Sequence, residues 1–159
     1  MNRNAHLKTP TYQALAEFRY QIRRFLHFSE TAAREVGLEP QQHQLMLAVK
    51  GIPRGQEPRV AYLAERLQIQ HHSAVELVDR LAAKGLIQRV RGQQDRREVH
   101  VKLTAQGERV LGELTFHMRT ELRTAAPRLV AALRGVMTHT NPKTGEVQRG
   151  WHSLDEVVL

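Results

Sequence analysis

The stretch IQRVRGQQDRREVHVKLT, Ile87 to Thr104, gathers the residues of this chain best suited to hold an anion. Arg89, Arg91, Arg96 and Arg97 stand around a Gly-Gln-Gln turn, and Lys102 follows. Guanidinium groups recognise carboxylate or phosphate through planar paired donors, and nothing in such a cluster is itself catalytic. Asp95 stands among them, placed to pair with Arg96 or Arg97 and fix its direction. Between Leu86 and Thr104 five basic residues oppose two acidic ones, and Met1 to Val36 carries six against three. The rest is nearly balanced, so the formal charge of +8 over 159 residues is concentrated. That concentration favours a polyanionic partner, because each neutralised phosphate releases condensed counterions.

Other chemistries find little support. The chain has no cysteine, which removes disulfides, thiolate zinc sites and thiol redox sensing. GQQDRRE lacks the glycines of a phosphate loop, and IPRGQEP opens no helix in the required pattern. No Ser-His-Asp or paired-carboxylate arrangement can be read, so neither an enzyme nor a cofactor is expected. Nine histidines raise the question of zinc. His71 and His72 are adjacent, and neighbours on a helix point about 100° apart, a poor chelating pair. His43, His100 and His117 converge only if the fold brings them together, and no metal site is assigned. The opening MNRNAHLKTPTYQ has no signal-like apolar segment. No apolar run approaches the roughly 18 residues of a membrane span. A cytoplasmic protein without a membrane partner is the simple inference.

The elements that must carry the arginines follow from periodicity. From Thr11 to Val36 apolar residues recur at spacings of three and four, which predicts one long amphipathic helix stopped by Gly37. Its length suggests that part of it packs on another chain. Pro40 opens a second helix to Lys50 with Leu45, Met46 and Val49 inward, and Gly51 to Pro58 is a loop. VAYLAERLQI places Leu63, Ala64 and Leu67 on one face. HHSAVELVDRLAAKG places Val75, Val78, Leu81 and Ala82 inward, with Ser73 or a neighbour as its cap. Leu86 to Val90 and Val99 to Leu103 read as the strands of a hairpin. A helix follows from Thr104 to about Ala125, with Val110, Leu111, Leu114 and Met118 as its stripe. Pro127 interrupts it, RLVAALRGVM is a further helical piece, and the chain from Thr138 reads as turn and loop around Trp151.

Helix, turn, helix and basic hairpin in this order make a winged helix-turn-helix. The second helix suits a B-DNA major groove, with His71, His72, Ser73, Glu76 and Arg80 outward near its start. Arg89, Arg91, Arg96 and Arg97 of the hairpin suit the minor groove or its flanking phosphates.

The run LAERLQIQHHSAVELVDRLAAKGLIQRVRGQQDRREVHVKLTAQG, Leu63 to Gly107, resembles the multiple-antibiotic-resistance regulator (MarR) family. The likeness is most specific in LVDRLAAKGLI and DRREVHVKLTAQG and extends over about residues 11 to 137. It implies a mainly α fold with a small β-hairpin: a winged helix-turn-helix lobe, 40–103, with terminal dimerisation helices, 1–36 and 104–137. The segment 138–159 is a tail of open role, because the long final helix usual in the family does not read on past Met137. The resemblance further implies a homodimeric regulator of transcription that binds a pseudo-palindromic operator in double-stranded DNA. Such proteins are usually repressors released by a small-molecule effector. Asp95, Arg96 and Arg97 match the family's wing cluster, one arginine of which enters the minor groove. His71 to Lys84 match the recognition helix. Glu76 departs from the basic or hydroxyl residue frequent there. It can accept from a cytosine amino group or pair with Arg80 at helical spacing, and the ion pair is favoured. The family's effector pocket would be lined here by Tyr20, Phe25, Phe28, His43 and Met46, and Arg23 and Arg24 suggest an apolar acid or phenol. A zinc-responsive winged-helix regulator and a dimeric scaffold without DNA binding are the competing readings.

Overall fold

The computed structural model describes residues 9–92 and 98–139. A first long helix, α1 (Thr9–Glu35), ends where Gly37 takes a positive φ of 78° and the Leu38 N–H closes on the Ala33 carbonyl at 2.9 Å. Helix α2 (Pro40–Lys50) starts with proline at its first position, and the Gln42 side-chain oxygen accepts from the Glu39 N–H at 3.1 Å. Its Leu45, Met46 and Val49 are buried, as the spacing predicts.

Helices α3 (Val60–Leu67) and α4 (His71–Ala83) form the central pair. The buried face of α4 is Ala74, Leu77, Val78 and Leu81, a set at i, i+3, i+4 and i+7. This corrects the predicted stripe: Val75 is half-buried and Ala82 exposed. The stripe is rotated because Ala74 and Leu77, which were not among the residues expected inward, pack into the core beside Val78 and Leu81. Ser73 lies inside the helix, whose N-cap is Gln70 without a side-chain hydrogen bond.

Strands β1 (Ile87–Arg91) and β2 (Val99–Leu103) pair antiparallel, with Ile87 opposite Leu103 and Val90 opposite His100. β1 begins one residue later than predicted, because the Leu86 N–H closes the end of α4 on the Leu81 carbonyl at 3.0 Å. The hairpin is tied to the loop before α3. Arg59 bridges His100, and the Val101 N–H donates to the Pro58 carbonyl at 2.9 Å. One core runs through these elements, centred on Leu45, Met46, Leu63, Val78, Leu81, Val101 and Leu114.

Thr104 caps α5 (Ala105–His139): its Oγ accepts from the Gly107 N–H at 3.0 Å and its hydroxyl donates to the Gly85 carbonyl at 2.7 Å. The predicted break at Pro127 is wrong, since α5 runs through it. Proline removes one helical donor, but α5 packs along α1 in the largest contact between any two described elements. That packing outweighs a local breaker. Trp151 lies outside the described residues.

The two long helices leave large apolar side chains outside the core. The buried residues of α1 are Thr11, Gln21, Ser29 and Ala33, while large apolar side chains face outward. Tyr12 is 58% exposed, Met137 66% and Phe116 68%, with Leu15, Val130 and Leu133 also exposed.

Candidate nucleic-acid interface

Turning α4 so that Ala74, Leu77, Val78 and Leu81 face the core leaves His71, His72, Glu76, Asp79 and Arg80 exposed and Ser73 half-buried. The first turn holds no acidic residue and no side-chain cap, so its amide donors and positive dipole end meet no competing carboxylate. The two carboxylates on the outer face are both paired. Glu76 binds Arg80 at 3.0 Å, the ion pair favoured from the spacing. Asp79 binds Arg89 of β1 at 2.9 Å. Asp79 escaped the sequence reading, because residues ten positions apart meet only once the turn at Gly85 folds β1 back along α4.

The arginines of the hairpin divide. Arg89 is held by Asp79, and Arg91 is exposed at the end of β1. Asp95, Arg96 and Arg97 lie outside the described residues. Just beyond them Glu98 has both carboxylate oxygens engaged: Oε1 with Arg59 at 3.0 Å and Oε2 with His100 Nε2 at 3.1 Å. The other ring nitrogen, Nδ1, faces Glu57 Oε2 at 3.1 Å. His100 is only 6% exposed. Val90, Arg91 and Lys102 complete the walls of a polar recess of about 220 Å³ here. The sequence named His100 only as a possible metal ligand, and strand alternation gave no reason to expect these carboxylate partners.

The five residues expected at an effector pocket do not line one cavity in the protomer. Tyr20 is exposed, with the Arg24 guanidinium 5.9 Å from its ring centre. Phe25 borders a small gap with Arg24 and Arg128. Phe28 lines a different cavity of about 230 Å³, with Ala32, Glu113, Leu114 and His117. Met46 and His43 are sealed in the core. Burial pushes the His43 pKa below its ordinary value, and its Nε2 has no hydrogen-bond partner. Among the described residues His43, His100 and His117 do not assemble into a metal-binding group.

The arrangement of α2, the α3–α4 pair and the hairpin has a match outside this chain. Residues 36–98 fit the model of the MarR family. This lobe is a winged helix similar to that of the MarR family. Solved structures extend the likeness beyond the lobe to the long helices. AbsC, a MarR family transcriptional regulator from Streptomyces coelicolor, superposes with a TM-score of 0.64 at 18% identity, covering 84% of this chain and 95% of its own. RV1404 from Mycobacterium tuberculosis gives 0.58 at 25% identity, over 73% and 84%. A mutant of S. aureus MepR bound to an oligodeoxyribonucleotide gives 0.60 at 17%, over 82% and 98%. No curated protein sequence matches the chain. No helix among the described residues is long and apolar enough to cross a membrane.

Proposed function

We propose that the protein is a homodimeric transcriptional regulator that reads a pseudo-palindromic operator, acting as a repressor released by a small ligand. The observation that carries DNA binding is the joined surface of α4 and the hairpin. Exposed His71, His72 and Arg80 stand on the helix beside Arg89 and Arg91 on the strand, and every carboxylate on the helix face is already paired. A helix presents such residues to major-groove edges while the wing holds phosphate or the minor groove. Asp95, Arg96 and Arg97 complete the wing in this reading. The oligodeoxyribonucleotide in the MepR structure supports it.

The exposed apolar side chains of α1 and α5 support the dimer. Exposed apolar surface of that kind marks an interface, and pairing through it sets two α4 helices about one turn of DNA apart. In the protomer a cleft of about 600 Å³ opens between Pro10–Gln21 of α1 and Arg128–Gly135 of α5, flanked by these exposed side chains. In this reading the effector binds between the long helices and the lobe; the small cavities that Phe25 and Phe28 line lie between α1 and α5. A ligand that changes the spacing of the two lobes by a few ångströms would release both half-sites together.

Selection of genomic fragments by the purified protein, with affinity followed at two salt concentrations, tests the reading. A palindromic motif and a steep salt dependence are expected. Salt-dependent binding without a motif would leave a nonspecific binder, and no binding would leave a scaffold.

A further inference from the structure

Two consecutive residues tie the end of α4 to both long helices. Lys84, the C-cap of α4, donates from its ammonium to the Gly37 carbonyl at 2.7 Å and to the Gln42 side-chain oxygen at 3.2 Å. Gly37 closes α1, and the same Gln42 oxygen holds the Glu39 N–H at the start of α2. Gly85, next in the chain, accepts at its carbonyl from the Thr104 hydroxyl at 2.7 Å, and Thr104 opens α5. An exposed lysine normally stays solvated, because ordering its long stem costs side-chain entropy. Lys84 is exposed, yet two of its three donors are committed to one turn. The opposite end of α4 has no such hold, since its N-cap Gln70 makes no side-chain hydrogen bond. Between the ends, Ala74, Leu77, Val78 and Leu81 pack through apolar contacts, which are non-directional. The Asp79–Arg89 pair joins α4 to β1 and reaches neither long helix.

We infer that Lys84 is a positioning residue for DNA reading: with Gly85 it fastens the trailing end of α4 to the ends of α1 and α5, so the setting of the long helices directs α4. This rests on the DNA-binding reading above. The helix has 13 residues. At roughly 1.5 Å of rise per residue, a tilt of about 10° at Lys84 carries the first turn by about 3 Å. His71 and His72 stand on that turn, and such a displacement breaks any hydrogen bond they make to a base edge. Without the ammonium, the Gly85–Thr104 bond is the remaining directional tie of the two, and α4 can turn about it. In a dimer the two α4 helices then lose their fixed separation. The protein reads the right half-site spacing less tightly and discriminates less against wrong ones. A lysine bound to phosphate would behave differently: its loss weakens all duplexes alike and lowers the salt slope by about one.

The test combines two measurements on the full chain, with Lys84→Met to remove the ammonium and Lys84→Arg to restore a donor. The chain has no cysteine, so His27→Cys on α1 and His72→Cys on α4 take a pair of spin labels at exposed positions. Diluted with unlabelled chain, that pair reports the distance from α1 to α4 within one protomer. Lys84→Met should broaden or shift the distribution by about 3 Å, and Lys84→Arg should return it to the wild-type form. Fluorescence anisotropy, without labels, then uses the selected operator and duplexes with one base pair added or removed between the half-sites. Lys84→Met should lose at least about fivefold in operator affinity, the lower end of a coupling between sites. It should also lose part of the penalty for altered spacing and keep the wild-type salt slope, with Lys84→Arg reversing both changes. An unchanged α1–α4 distance overturns the inference. So does a uniform loss over all spacings with a shallower salt slope, which would make Lys84 a phosphate ligand. If wild type binds no duplex, the functional reading fails, while the label distances still decide whether Lys84 sets α4. Should Lys84→Met fold poorly, Lys84→Gln keeps the comparison.

Discussion

Arg89 of β1 and Asp79 of α4 meet at 2.9 Å, so the first arginine of the hairpin is joined to the helix beside it. Both side chains are about half exposed, and exposed pairs contribute only about 0–1 kcal/mol to folding. The value of the contact lies in orientation, because it holds β1 at one angle to α4. A double-mutant cycle with Asp79→Ala and Arg89→Ala should show a coupling below about 1 kcal/mol in denaturant unfolding. Asp79→Ala should nevertheless weaken operator binding, although it removes a negative charge. A gain in affinity would show instead that Arg89 is a phosphate ligand that Asp79 competes for.

Gly107 of α5 lies directly against the backbone of Leu86, the residue before β1. A Cβ there would run into the carbonyl oxygen and carbon of Leu86, which are backbone atoms unable to swing aside. The same Leu86 carbonyl accepts the Thr104 N–H at 3.0 Å, which fixes its position. Gly107→Ala should destabilise the fold by roughly 2–3 kcal/mol through overpacking, read as a lower denaturant midpoint. Gly112, where a Cβ meets nothing within 4 Å, is the control: Gly112→Ala should be neutral or stabilising.

Much of this fold was legible locally. The caps at Pro40 and Thr104, the stops at Gly37 and Gly85, and the two short strands are written in residues close to where they act. The Glu76–Arg80 pair was legible for the same reason, being one helical turn long. What escaped was non-local. Pro127 reads as a break in any window of its own neighbours, and only the length of α1 beside it keeps α5 continuous. The rotation of the α4 stripe from Val75 and Ala82 to Ala74 and Leu77 depends on which side α2 and α3 occupy. Asp79 meets Arg89, and Glu57 meets His100, across turns whose geometry no spacing rule supplies. The effector residues were carried by resemblance alone, and in the protomer they divide among an exposed face, two cavities and the core.

His43 sets a pH dependence of global stability. Burial lowers its pKa in the folded state, so as pH falls the unfolded chain takes up the proton first. Stability rises with pH wherever the unfolded state binds more protons. The contribution is therefore complete above the ordinary histidine value of 6.5 and is lost as pH drops below it toward the folded value. The slope cannot exceed about 1.4 kcal/mol per pH unit for one proton. Urea unfolding of wild type and His43→Leu between about pH 7.5 and about pH 5 checks this. The variant should have the flatter profile and no deficit at the acid end, because it also removes the unpartnered Nε2. Equal slopes would show that His43 takes up its proton equally in both states.

The outward apolar face of α5 gives the sharpest test of assembly. Leu133 is exposed in the protomer and lies between Val130 and Met137, which are exposed too. A charge placed there costs the isolated chain little, since it remains in water. In a dimer built on α1 and α5 the same charge would be buried without a partner, and that is strongly unfavourable. Leu133→Glu should keep the wild-type helical circular dichroism while sedimenting as a single chain of 18.2 kDa. Two half-sites read by linked lobes gain roughly 10²–10⁴ in avidity over one, so the monomeric variant should lose operator affinity by at least about a hundredfold. A variant that stays dimeric with unchanged affinity would place the interface elsewhere, and the apolar side chains of α1 and α5 would then need another partner.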